Sequence, residues 1–371
     1  MKKYCNKKII ISGGGTGGHI FPAISIANAL KEKDKEVDIL FVGAKGRMEM
    51  DKVPAAGYNI VGLPVSGFQR KFSIQHISFF FKLLSSLIKS RKIINSFRPN
   101  AVIGVGGYAS GPLLKVATKK RIPSLIQEQN SYAGITNRLL SKKVNKICVA
   151  YDKMDKYFPK EKIILTGNPV RQDLKNIKDK KEKALRFFDL NENKKIILII
   201  GGSLGAKTIN QCVLNNIQKI VRYEIQLIWQ TGKYYFEDAK IEVNNYNAEN
   251  IKIHDFISRM DLAYAAADII ISRAGAGTLS ELCLVGKPAI LVPSPNVAED
   301  HQTKNAKTLV DKNAAIMINN GEATRKLINR AIELLDNESE MKRLSENIAK
   351  MAIKDSAKII ANEIFKMIKS N

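Results

Sequence analysis

The sequence predicts an α/β protein of two Rossmann-like domains facing a cleft, and three observations carry that prediction. The chain has 371 residues, more than one ordinary α/β domain and suited to two. Short β-branched runs alternate along it with longer helical stretches, the pattern of βαβ units on a parallel sheet. The two halves also open alike, each with a strand, a glycine-rich turn and a helix.

In the first half, Lys7–Ser12 is the opening strand, and the helix after its glycines runs to about Lys31. Further strands are expected at Val37–Val42, Asn59–Leu63, Ala101–Gly104, Ser124–Ile126, Lys146–Ala150 and Ile163–Leu165. Helices fill the intervals, notably Ile74–Asn95 and Gly134–Leu140. The pattern breaks around Gly167–Arg171, and a charged helical stretch, Asn176–Phe188, leads to the second opening strand, Lys195–Ile200. Its successors are Gln226–Gln230, Ile251–His254, Asp268–Ile271, Ala289–Val292 and Ala315–Ile318, with three consecutive helices from Ala323 onward. The expected division is 1–172, 173–353 and a terminal helix 354–371. Ligands of open parallel sheets bind outside the carboxyl ends of the strands, so the glycine loops should line the cleft.

Composition removes several classes of function. The 45% hydrophobic and 26% charged fractions belong to a folded chain. No apolar run approaches the roughly 18–20 residues that span a bilayer. Met1–Lys8 leads straight into a strand and leaves no room for a signal peptide, so a cytoplasmic location is expected. Four cysteines stand singly, which excludes a disulfide framework or a CxxC zinc site; Cys148 and Cys283 read as small core residues. The net charge of +25 has two readings, lysines spread over solvated faces or attraction to an anionic partner. The first is preferred for the total, and no nucleic-acid motif accompanies the charge.

The first loop, Gly13-Gly14-Gly15-Thr16-Gly17-Gly18-His19, formally satisfies GxGxxG. A dinucleotide reading fails because Phe41-Val42-Gly43 carries no carboxylate for a ribose, and the missing Gly-Lys-Ser/Thr ending rules out a P-loop. What remains is a tight turn or a backbone cradle for an anion at a helix N-terminus. His19 reads as a helix-start packing residue or as a general base; it and His301 are the two of four histidines in candidate cleft loops. Gly104–Pro112 is a second glycine loop, and Gln127-Glu128-Gln129-Asn130 after the next strand suits an acceptor pocket. Glu128 reads equally as a carboxylate stabilised by a helix dipole.

In the second half, Ser272–Glu281 joins an apolar strand to a helix whose N–H groups can hold a diphosphate. Glu281 lies one turn in, where a carboxylate can take both hydroxyls of a ribose, although Thr278 and Glu281 also fit a capping arrangement. Gln302, at the end of Glu299-Asp300-His301-Gln302, has both donor and acceptor groups for a sugar. Finally, Phe72, Ile77, Phe79, Phe80 and Phe81 with Lys82 mark the start of Ile74–Lys92 as unusually apolar. It reads as a buried helix or as a peripheral docking element for anionic lipid.

Seven motifs in order, GGGTGGHIFPA, GVGGYASGP, QEQN, GNPVR, GGSLGA, SRAGAGTLSEL and EDHQTKNA, resemble the family of bacterial cell-wall N-acetylglucosaminyltransferases. That resemblance covers nearly the whole chain. It implies the GT-B fold of two facing Rossmann-like domains, with a last helix crossing back to the first. It implies inverting transfer from UDP-N-acetylglucosamine, a substrate and not a cofactor, to the lipid-linked acceptor lipid I (undecaprenyl-pyrophosphoryl-N-acetylmuramoyl-pentapeptide), at the cytoplasmic face of the membrane. By the same resemblance, donor contacts fall on Thr16, Gly17, Gly18, Asn130, Arg171, Ser203, Ile257, Ala276, Gly277, Thr278, Leu279, Ser280, Glu281 and Gln302. His19 becomes the expected base with Glu128 as rival, and Ile257 would offer backbone to the uracil. The stretch Pro295–Glu299 is one residue longer than in some relatives. No Asp-x-Asp accompanies a strand end, and helix N-termini can stabilise departing UDP, so no obligatory metal is expected. Rival readings are a glycolipid galactosyltransferase or sugar-nucleotide epimerase on the same fold, or a non-catalytic nucleotide-sugar-binding module.

Overall fold

The computed structural model describes residues 6–65, 75–174 and 177–369, with side chains at all of these but 75–80, 172, 178 and 298. The chain separates into two compact units. One holds the described residues up to Arg171 together with those from Ile353 onward; the other runs Gln172–Ala352.

The first unit is built on seven parallel strands: β1 (Lys8–Ser12), β2 (Asp38–Ala44), β3 (Asn59–Leu63), β4 (Ala101–Gly104), β5 (Ser124–Glu128), β6 (Lys146–Val149) and β7 (Ile163–Leu165). They lie in the order β3-β2-β1-β4-β5-β6-β7. Alternation along β1 explains the layering. Ile9 and Ile11 pack on one face with Ile20, Ile26 and Leu30 of the helix Gly17–Lys33, while Ile10 faces Leu113 and Ile126 on the other. The last helix, Ser356–Lys369, joins that first face through Ile360 and Ile364, and Lys358 pairs with Glu32 at 2.7 Å. Gly167, at φ +73°, lets the chain pass the start of that helix: a Cβ there would lie 2.6 Å from the Ser356 hydroxyl.

The second unit repeats the plan with six parallel strands: β8 (Ile196–Ile200), β9 (Gln226–Gln230), β10 (Ile251–His254), β11 (Ile269–Ser272), β12 (Ala289–Leu291) and β13 (Ile316–Met317). Their order is β10-β9-β8-β11-β12-β13. All five residues of β8 are buried, as a strand covered by helices on both faces requires. The order reverses between β1 and β4 in one sheet and between β8 and β11 in the other. Ser12 stands level with Gly104 and Ile200 with Ser272, so each switch point brings two loops together at the carboxyl edge.

The thirteen strands lie where the sequence places them, with two adjustments of note. β5 continues through Gln127 and Glu128, which are buried residues of the strand and not of the loop beyond it. The charged stretch expected as one helix begins with a 3-10 turn, Ile177–Lys180, before the helix Lys181–Phe188.

Candidate active site

In the first unit the glycine loops after β1 and β4 rest on each other. A Cβ on Gly107 would lie 2.3 Å from the Gly14 carbonyl oxygen, and one on Gly13 2.2 Å from Val105. The imidazole of His19 lies over Gly106, where a Cβ would meet its ring at 2.7 Å. His19 is half-buried in the first turn of Gly17–Lys33, and its Nδ1 is 3.2 Å from the Thr16 hydroxyl, which orients the ring. Thr16, Gly17, Gly18 and His19 are therefore brought together at one switch point.

Glu128 is 2% exposed and fully engaged. One carboxylate oxygen accepts from the Asn130 backbone N–H and side-chain amide at 3.1 and 3.3 Å. The other accepts from the Gly134 N–H at 3.0 Å and the Asn137 amide at 2.8 Å. A carboxylate holding four donors shapes the 130–137 turn and has little capacity left for a substrate proton. Beneath it lies a buried amide network: Gln127 donates to Asn168 at 3.0 Å, Asn168 to the Gln129 carbonyl at 3.0 Å, and Gln129 to the Val105 carbonyl at 2.6 Å. The network joins the second glycine loop to the segment before Arg171, the last residue of this run of the unit.

In the second unit the helix Ala276–Val285 starts at Gly275, an N-cap without a capping side-chain bond. The expected alternative of a Thr278–Glu281 capping pair does not hold, because Thr278 already lies inside the first turn. The N–H groups of Ala276, Gly277 and Thr278 point out of the helix end, and Ser280 and Glu281 share its partly exposed side. Leu279 differs from its neighbours on this helix. Its side chain is wholly buried in the core and its N–H bonds the Gly275 carbonyl at 2.9 Å, so it serves by anchoring the helix. Tyr264, also wholly buried, donates its hydroxyl to Glu281 at 3.0 Å and aims that carboxylate.

Gln302 uses its side-chain oxygen on the backbone N–H groups of Ala274 and Ser294, at 3.2 and 2.8 Å. Its NH₂ is thus the end that can meet a sugar, as a donor. Gln230 accepts the Ile257 N–H at 2.9 Å and donates to the Gly202 carbonyl at 3.0 Å. It ties the exposed loop carrying Ser203 to the Ile257 segment. Gln230, Tyr264 and Asn137 were missed in the sequence. Only Gln230 carried a signal, as a polar residue ending a strand of a parallel sheet.

The helix Gln75–Phe97 packs Ile93, Ile94 and Phe97 on the core, but its middle is mixed in polarity. Ser86 and Ser90 are buried, while Phe81, Leu84 and Ile88 are 69%, 56% and 52% exposed on one stripe, beside exposed Lys82, Arg91 and Lys92. Phe72 lies outside the described residues, as do the side chains of Ile77, Phe79 and Phe80. Among the described residues no helix is long and apolar enough to cross a membrane.

The profile of the glycosyltransferase family 28 N-terminal domain matches residues 9–149, and that of the C-terminal domain residues 196–362. The chain belongs to glycosyltransferase family 28. Within reach of this family 28 chain is a protein of Phocaeicola vulgatus, 60% identical over 98% of this chain and 96% of its own. It is named UDP-N-acetylglucosamine–N-acetylmuramyl-(pentapeptide) pyrophosphoryl-undecaprenol N-acetylglucosamine transferase. The crystal structure of Acinetobacter baumannii MurG superposes with a TM-score of 0.78 at 28% identity, covering 97% of this chain and 99% of that one. A UDP-GlcNAc 2-epimerase of Neisseria meningitidis shares the fold alone, with a TM-score of 0.66 at 16% identity over 97% of this chain and all of that one. The family 28 match and the 60% relative favour transfer over epimerisation.

Proposed function

We propose that this chain transfers N-acetylglucosamine from UDP-N-acetylglucosamine to the 4-hydroxyl of N-acetylmuramic acid in undecaprenyl-pyrophosphoryl-N-acetylmuramoyl-pentapeptide, for peptidoglycan synthesis. The observation that carries the reading is near full-length 60% identity to a transferase whose name states both substrates. Transfer of radiolabelled N-acetylglucosamine from its UDP donor onto a short-chain analogue of the acceptor tests it. A protein that binds the donor and transfers nothing would end the reading.

The residue roles are those the family resemblance implies, and the loops at the two switch points support them. The diphosphate sits on the N-terminus of Ala276–Val285, with Ser203 and Arg171 on the phosphate side. Glu281 takes the ribose hydroxyls, the Ile257 carbonyl the uracil and the Gln302 amide the sugar. In the first unit, Thr16, Gly17, Gly18 and Asn130 are the donor contacts that the family resemblance implies. His19 Nε2 removes the proton from the acceptor 4-hydroxyl as that oxygen attacks the anomeric carbon from the face opposite the phosphate. The sugar–phosphate bond breaks, inverting the centre, and UDP leaves with the electron pair.

Helix N–H groups supply the positive potential that a metal supplies elsewhere. Transfer is accordingly expected to continue in excess EDTA; activity abolished by EDTA and restored by a divalent cation would contradict this.

The lipid acceptor calls for the chain to work at a membrane, peripherally and on the cytoplasmic side. The stripe of Phe81, Leu84 and Ile88 flanked by cations suits docking on anionic lipid. Replacing all three by Ser is expected to weaken binding to phosphatidylglycerol vesicles by about tenfold or more. Transfer to a soluble short-chain acceptor should be spared. Equal loss of both activities would mean that the stripe serves the fold instead.

A further inference from the structure

Glu49, first residue of the short helix Glu49–Ala55, is fully buried, and the chemistry above gives it no part. Its two carboxylate oxygens join separate pieces of backbone. Oε2 accepts the Gly15 N–H at 2.9 Å, and Oε1 accepts the Ala44 N–H at 2.9 Å. The fit is tight from both sides. A Cβ on Gly14 would lie 2.1 Å from Oε1, and one on Gly43 2.6 Å from the Glu49 Cγ. These two glycines make room for Glu49 and not for a ligand. In dinucleotide-binding Rossmann domains a carboxylate near the end of the second strand holds a ribose. Here the carboxylate turns back onto the glycine loop itself.

Five of the six residues from Gly13 to Gly18 are glycine, the backbone with the most freedom to lose on ordering. Gly15 is followed directly by Thr16. The Thr16 carbonyl accepts the His19 N–H at 3.1 Å, and its hydroxyl lies 3.2 Å from His19 Nδ1. An anchor at Gly15 is therefore an anchor on the imidazole. Among the described residues no cation pairs with Glu49, and burying such a charge is costly unless its hydrogen bonds are kept.

We propose that Glu49 is a positioning residue that locks the Gly13–Thr16 turn and thereby sets His19 for proton transfer, an inference that rests on His19 being the base. The test is a double-mutant cycle with Glu49→Gln and His19→Ala in the transfer assay. Glu49→Gln should lower kcat by about tenfold to a hundredfold while the KM for UDP-N-acetylglucosamine stays within about twofold. In the His19→Ala background the same change should cost less than about twofold. Equal losses in both backgrounds would overturn the proposal and leave Glu49 a purely structural residue. Wild type that transfers nothing, or His19→Ala with an undiminished kcat, would instead overturn the underlying reading and this proposal with it. If Glu49→Gln fails to fold, amide exchange of the wild-type protein decides: Gly15 must exchange slowly, and an unprotected Gly15 amide overturns the anchor.

Discussion

His19→Ala is expected to lower kcat for N-acetylglucosamine transfer by about 10²–10⁴-fold, the range of a lost general base. The KM for the donor should hardly move, because the uridine and diphosphate contacts assigned above lie mainly in the other unit. The expectation follows from the competition between two candidate bases. His19 lies half-buried over Gly106 with one ring nitrogen against Thr16. Glu128 already takes four hydrogen bonds from Asn130, Gly134 and Asn137. Removing Glu128 strands those donors, so its substitution should reduce stability along with rate. The pH–rate profile separates the cases. The limb of kcat that rises as the base loses its proton should vanish in His19→Ala and persist in Glu128→Gln. A limb that vanishes only in Glu128→Gln would reverse the assignment.

The second large effect is expected at Glu281. Hydrogen bonds to a charged group contribute about 1.5–3 kcal/mol each. Glu281→Ala should therefore weaken UDP binding by about tenfold to a hundredfold, read by titration calorimetry, with kcat at saturating donor much less affected. Tyr264→Phe should give a smaller loss of about two- to tenfold, since it removes only the hydroxyl that aims the carboxylate. Unchanged UDP affinity in Glu281→Ala would remove the ribose from this residue and leave Tyr264–Glu281 as a packing contact.

Much of the fold is legible in the residues. Runs such as Ile196–Ile200, all isoleucine or leucine between Lys195 and Gly201, have the length, β-branching and flanking glycine of a strand covered on both faces. The glycine loops are legible for a related reason: each follows such a strand and precedes a helix, the place where a parallel sheet opens to ligand. Other site features are silent. Glu49 sits in Lys45-Gly46-Arg47-Met48-Glu49-Met50, indistinguishable from any polar helix start, and its bond to Gly15 spans 34 residues. Leu279 stands among polar neighbours, and helical rotation turns its side chain into the core between Thr278 and Ser280.

The sequence by itself determined the class of fold, the strands and the loops that end them, because these depend on periodicity and on residues near in the chain. Only the tertiary structure decided which polar groups meet. Parallel pairing sets Ser12 level with Gly104, and Ile200 with Ser272, across long stretches of intervening chain. That register lays one glycine loop on the other and His19 over Gly106. Helix packing then carries the Tyr264 hydroxyl to Glu281 and brings four donors from Asn130, Gly134 and Asn137 to Glu128. Hydrogen bonds reach about 3 Å, and no local pattern records which partner a fold will bring that close.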